Sequence, residues 1–139
     1  MTTSVLVVED ERITAADLSD TLVDSGFDVV GAVHRAGDVA PAVAQHRPDV
    51  VLMDVDLGGG PDGSDIAGAL KAEDPGLPIV FLSAQSDSLT VRRMHEVGAA
   101  GILAKPFSET ELPRVVSAAA AHAKKQQAWI QRGDRLRVI

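Results

Sequence analysis

Five short runs of mainly apolar, often β-branched residues constrain the fold of this chain more than any other feature. They fall at Ser4–Val8, Phe27–Gly31, Asp49–Met53, Pro78–Leu82 and, more weakly, Ala99–Ala104. Such runs do not alternate between a wet and a dry face, so each predicts a strand buried on both sides. Between them lie apolar residues at helical spacing: Ala15, Leu18 and Leu22; Val39, Ala42 and Val43; Ile66, Ala67 and Leu70; Val91, Met94 and Val97. The last such series is the longest, with Leu112, Val115, Val116, Ala119, Ala120 and Ala123. Ser108 and Glu111 in front of it have capping-box spacing. Pro113, late in the first turn, is expected to cost a backbone bond there. Strands alternating with helices imply right-handed crossovers and a parallel sheet covered on both faces, a doubly wound α/β domain.

The 139 residues suffice for one such domain. Only 3% are aromatic, so the core has to be built from Val, Ile, Leu and Ala. No apolar run approaches the ~20 residues that span a bilayer, and the N-terminus lacks a signal-peptide plan. The expected location is the cytoplasm, without membrane contact. The absence of cysteine excludes disulfides and thiolate metal sites. A net charge of −7 disfavours direct nucleic-acid binding, which draws its affinity from Lys and Arg on phosphates. The charge is uneven: residues 1–120 carry 8 Lys/Arg against 19 Asp/Glu, and residues 121–139 carry 5 against 1. This divides an acidic body, taken as residues 1–122, from a basic extension or linker at 123–139.

In doubly wound sheets, ligands sit beyond the carboxyl ends of the strands, where strand order reverses. The residues just past the strands are Glu9, Asp10 and Glu11; Asp54 and Asp56; Ser83 and Ala84; and Lys105 with Pro106. Bringing Asp10 and Asp54 together bare is unfavourable, since like charges ~4 Å apart repel by about 4 kcal/mol at an effective dielectric near 20. A bound cation removes that conflict. Several carboxylates without Cys or suitably spaced His favour Mg²⁺, which commonly bridges carboxylates to a phosphoryl oxygen. With Lys105 as a fixed charge and Ser83 as a hydroxyl donor, the set suffices for phosphoryl transfer to a carboxylate.

VLVVEDE at 5–11, VVLMDVDL at 50–57, IVFLSA at 79–84 and AKPF at 104–107 resemble the four signature stretches of response-regulator receiver domains, in that family's order and near its spacing. The resemblance covers roughly residues 4–122. It implies a flavodoxin-like five-stranded sheet of order 2-1-3-4-5 with helices on both faces. It makes Asp54 the phosphoacceptor, Asp10 a direct Mg²⁺ ligand, with Mn²⁺ a possible substitute, and Glu9 a ligand through water. The backbone carbonyl of Asp56 completes the protein's share of the metal shell. Ser83 becomes the switching hydroxyl, Ala84 the small residue that leaves the phosphate accessible, and Lys105 the phosphate partner. A cis bond before Pro106 is also implied. The donor is expected to be a histidine kinase or histidine phosphotransfer protein. The output is a downstream protein or a homodimer formed through the fourth helix, fifth strand and fifth helix. The implied activity is a switch with only self-directed phosphotransfer and dephosphorylation.

The chain departs from the family pattern in three places. Gly58 stands where the family usually has Pro, and Asp62-Gly63 comes one residue late. Ile102 occupies the position of the switch aromatic, so the usual aromatic flip cannot operate. Asp56 and Gln85 occupy positions that tune phosphate lifetime in relatives.

A stand-alone regulator is the simplest form, with a receiver cut from a larger regulator or hybrid kinase as the alternative. A haloacid-dehalogenase-like phosphatase is a different reading, from Asp54-Val55-Asp56, but in that family the nucleophile follows the first strand. A flavin module is a third, though Glu9-Asp10-Glu11 would repel its phosphate. His34, His46, His95 and His122 are scattered and read as surface or helix-face residues. The stretch Gly58-Gly59-Gly60-Pro61-Asp62-Gly63 reads as a flexible connection, lacking the Gly-Lys-Ser/Thr ending of a phosphate loop. The tail, with Trp129 and Ile130, reads as a solvated helix end, a linker or a partner-binding segment.

Overall fold

The computed structural model describes residues 2–57, 62–84 and 88–131, with side chains for all of these except 88 and 123–131. Gln85, residues 58–61 of the glycine-rich stretch and residues 132–139 of the tail lie outside the described residues. The elements are β1 (Ser4–Val8), α1 (Arg12–Asp24), β2 (Asp28–Val33), a short 3₁₀ turn (Ala36–Asp38), α2 (Val39–His46), β3 (Val50–Asp54), α3 (Gly63–Glu73), β4 (Ile79–Ser83), α4 (Ser88–Glu96), β5 (Gly101–Ala104) and α5 (Glu111–Gln131). All strand pairs are parallel, in the order β2-β1-β3-β4-β5. The doubly wound flavodoxin-like sheet expected from the sequence is the sheet observed.

The even and odd residues of the central strands feed two separate cores. Val5, Val7, Val50, Leu52, Val80 and Leu82 pack under α1 and α5 with Leu18, Leu22, Leu112 and Val116. Leu6, Val8, Val51, Met53, Ile79 and Phe81 face α2, α3 and α4 with Val39, Ala67, Leu70 and Met94. Double-sided burial explains why β1, β3 and β4 read as unbroken apolar runs. β2 runs from Asp28 to Val33 rather than from Phe27 to Gly31, because it is an edge strand whose residues are mostly part-exposed and its register shifts beside Val5 and Leu6. Such an edge carries a weaker apolar signal.

Ser108 and Glu111 form the expected reciprocal cap, with the Ser108 N–H donating to Glu111 Oε1 at 3.1 Å and the Glu111 N–H to Ser108 Oγ at 3.1 Å. Pro113 has no N–H to offer the Glu109 carbonyl, so residues 109–110 remain a turn and regular helix begins at Glu111. The backbone of 123–131 continues α5.

Two residues of the glycine-rich stretch do not belong to a flexible connection. Asp62 caps α3 through a capping box with Asp65, and Gly63 is the buried first residue of that helix. The Gly63 N–H donates to the Val55 carbonyl at 2.8 Å, stitching α3 to the end of β3. A Cβ on Gly63 would stand 2.5 Å from the Asp54 carbonyl oxygen and 2.9 Å from Val55 Cα. These are backbone atoms and cannot rotate aside. Helix propensity alone would make Gly63→Ala favourable by about 1 kcal/mol. Overpacking reverses that sign, with an expected loss of about 1–3 kcal/mol. Urea unfolding should show a lower midpoint with an unchanged slope; wild-type stability in this variant would disprove the close contact.

Candidate functional site

The sheet reverses its winding between β1 and β3, and this is where the acidic residues emerge. Glu9 and Asp10 leave β1, Asp54 ends β3, Ser83 ends β4, and Lys105 follows β5. Asp10, Glu11, Asp54, Val55, Asp56, Ser83, Ala84 and Lys105 line a cleft of about 180 Å³. Glu9 lies beneath it, 1% exposed, and Asp54 is 5% exposed at its floor. Ser83 is buried, while Asp10, Asp56 and Ala84 are exposed at its mouth. The topology thus brings together the described site residues expected around the phosphoacceptor and the metal.

An ion pair spans the cleft. Lys105 Nζ donates to Asp54 Oδ2 at 2.9 Å and stands 3.8 Å from Glu9 Oε1. The other Asp54 oxygen, Oδ1, accepts from the Asp56 N–H at 3.0 Å. Glu9 Oε2 accepts from the Glu11 N–H at 3.1 Å, which leaves Glu9 Oε1 buried without a hydrogen bond. Carboxylate oxygens of Glu9, Asp10 and Asp54 lie within 4.8 Å of one another. Lys105 therefore meets two of three clustered carboxylates.

The protonation of these groups follows from that crowding. Burial, with the adjacent Asp10 and Asp54 carboxyls and the negative charge of Asp54, pushes the Glu9 carboxyl up to about 8 from an ordinary 4.5. Burial would lower Lys105, but its bond to Asp54 and the charges of Asp54, Glu9 and Glu11 outweigh this and hold it above its ordinary value. The cluster is short of positive charge. Three hard oxygen donors, one of them an orphaned buried atom, fit a small divalent cation such as Mg²⁺, which neutralises carboxylates without demanding nitrogen or sulfur.

Other expected features fall close by. The Lys105–Pro106 peptide is cis. Ile102 is half-buried, paired across the sheet with Phe81 and packed with the α4-side core, so an aliphatic side chain occupies the aromatic's position. Three residues near the site were not singled out by sequence. His34 Nδ1 lies 2.9 Å from the Glu9 carbonyl oxygen, although histidines here read as surface groups; its position directly after β2, like that of the acids after β1 and β3, was the available signal. Gly63 presses on the Asp54 backbone, and Asp62 caps the helix behind it.

Comparisons with known proteins agree with this geometry. Residues 5–117 match the family described as the response regulator receiver domain. The transcriptional regulatory protein PdtaR of Mycobacterium tuberculosis is 35% identical over 108 residues, covering 78% of this chain and 52% of the relative. The DNA-binding response regulator MtrA of the same organism is 38% identical over 108 residues, covering 78% of this chain and 46% of the relative. The chain thus spans about half the length of these curated relatives. Among solved structures, the signal receiver domain of a modulated diguanylate cyclase from Desulfovibrio desulfuricans G20 superposes with a TM-score of 0.82 at 34% identity, over 91% of this chain and 99% of that one. These matches do not favour the phosphatase reading. Strand order, the acidic cluster beside Lys105 and the family match lead to one assignment: the chain belongs to the response regulator receiver domains of two-component signal transduction.

Proposed function

We propose that Asp54 accepts a phosphoryl group from a phosphohistidine of a histidine kinase or histidine phosphotransfer protein, and that Mg²⁺ is required. The observation that carries this reading is the convergence of Glu9, Asp10 and Asp54 opposite a lysine held 2.9 Å from Asp54. An Asp54 carboxylate oxygen attacks phosphorus, the P–N bond of the donor breaks, and the imidazole leaves with its proton balance restored from solvent. Asp10 and Asp54 would hold the ion directly and Glu9 through water, and the Asp56 carbonyl would complete the protein's share. When bound, Mg²⁺ neutralises the phosphoryl oxygens and orients them for in-line attack. Lys105 takes a phosphoryl oxygen, Ser83 donates its hydroxyl to another, and Ala84 leaves the approach open. Asp56 at the mouth of the cleft, together with Gln85, sets how readily water reaches the acyl phosphate.

The acyl phosphate biases α4, β5 and α5 toward a form that binds a protein partner or a second copy of the chain. The chain acts as a cytoplasmic switch, its catalysis confined to its own phosphorylation and dephosphorylation. Residues 1–122 form the receiver and 123–139 a basic extension. The net charge of −7 disfavours direct nucleic-acid contact. Among the described residues no helix is long and apolar enough to cross a membrane.

Incubation with a small phosphodonor and Mg²⁺ should place one acid-stable, base-labile phosphoryl group on the wild-type chain and none on Asp54→Asn. Removing the metal should slow labelling on the order of a hundredfold. Label that persists in Asp54→Asn would end this assignment.

Glu9 gives an independent test on the metal-free protein. Its folded-state value of about 8 lies above its ordinary 4.5, so the folded chain holds the extra proton. Its contribution to stability is therefore full below pH 4.5 and is lost as pH rises toward 8. Urea midpoints measured across this range should fall less steeply for Glu9→Gln than for wild type, and saturating Mg²⁺ should reverse the wild-type loss. An identical pH slope in the two proteins would contradict the burial of a crowded carboxyl at position 9.

A further inference from the structure

Arg93 lies on the side of α4 that faces the start of α3. Its guanidinium forms two ion pairs, NH1 to Asp62 Oδ2 at 3.1 Å and NH2 to Asp65 Oδ1 at 3.1 Å. The other oxygens of the same two carboxylates build the helix cap. Asp62 Oδ1 accepts from the Asp65 N–H at 3.1 Å and the Ser64 hydroxyl at 2.6 Å, and Asp65 Oδ2 accepts from the Asp62 N–H at 3.4 Å. Arg93 therefore closes a capping box that is itself fixed to the site, because Gly63 between them is hydrogen-bonded to Val55 and pressed on the Asp54 carbonyl. Burial would raise the Asp62 carboxyl, but the Ser64 and Asp65 hydrogen bonds and the Arg93 charge hold it below its ordinary value, so the pair stays ionised.

The two helices joined by this pair are tied to the cleft in different ways. The start of α3 rides on the backbone of Asp54 and Val55. α4 begins at Ser88, five residues after Ser83 at the end of β4. If Ser83 follows a phosphoryl group inward, the start of α4 is drawn along while the start of α3 stays with Asp54. A planar fork bonded to two carboxylates tolerates little relative displacement. Ile102 has no hydroxyl or ring with which to report the same movement.

We propose that Arg93 is a latch, a positioning residue whose paired bonds to Asp62 and Asp65 hold α4 in the unphosphorylated arrangement and loosen when Asp54 carries phosphate. The inference rests on the reading of Asp54 as phosphoacceptor. Linkage then requires reciprocity: whatever phosphate at Asp54 does to the latch, breaking the latch does to the affinity for phosphate.

The test is a titration of the full chain with beryllofluoride, a phosphoryl mimic, at fixed Mg²⁺, with the dissociation constant read by calorimetry and α4 followed by amide exchange. Arg93→Gln and the double variant Asp62→Asn/Asp65→Asn, which keeps cap-forming side chains, should each bind about threefold to tenfold more tightly than wild type. The triple variant should gain nothing beyond Arg93→Gln, and Arg93→Lys should lie between. α4 should exchange faster in the unliganded variants than in unliganded wild type. Unchanged or weaker binding in Arg93→Gln overturns the latch, as does tightening that the Asp62→Asn/Asp65→Asn protein fails to share. A purely structural role would lower melting temperature without tightening binding. Wild-type protein that binds no beryllofluoride, or an Asp54→Asn control that binds it equally, overturns the phosphoacceptor reading together with the latch.

Discussion

The pair between Lys105 and Asp54 is what lets three carboxylates share the ends of two adjacent strands. Glu9, Asp10 and Asp54 approach within 4.8 Å of one another, and Lys105 is the cation that reaches both Asp54 and Glu9. Coulomb repulsion at these separations is several kcal/mol in a partly buried site. One ammonium offsets only part of it, and Glu9, raised first by its burial and then by its acidic neighbours, takes up a proton more readily. The cleft is thus stable enough to fold and carries a negative charge that a divalent ion would relieve.

The arrangement follows from winding. Once β1 takes an interior place, with β2 on one side and β3 on the other, the loops after β1 and β3 must open opposite each other. β4 and β5 then bring Ser83 and Lys105 to the same rim by simple addition to the edge. The apolar runs that fix the strands also fix which residue is first to leave each strand. In this way chemistry is placed by the pattern of Val, Leu and Ile in the interior.

This is why so much of the site was legible in the sequence. A strand buried on both faces announces its own end, and Asp54 or Lys105 is found by looking just beyond it. What escaped notice depends on contacts between elements distant in the chain. Gly63 looked like slack in a glycine-rich stretch, yet its missing side chain makes room for the Asp54 carbonyl. Asp62 reads as part of the same connection, and no local pattern says that Arg93, on another helix, would bind both it and Asp65. His34 lacks metal-ligand spacing and so reads as a surface or helix-face residue, but its ring meets the backbone of Glu9. β2 began a residue later and ended two later than its apolar run suggested, since an edge strand is wet on part of its surface.

The anchoring of Gly63 also bears on how this chain tolerates change. Leu57 is buried at one end of the connection after β3, and Gly63 is stitched to Val55 at the other. An additional residue between those two points lengthens the span without moving either end. A change of length confined to positions 58–61 lies between two anchored ends, and the contact of Gly63 with the Asp54 backbone does not depend on what those positions hold.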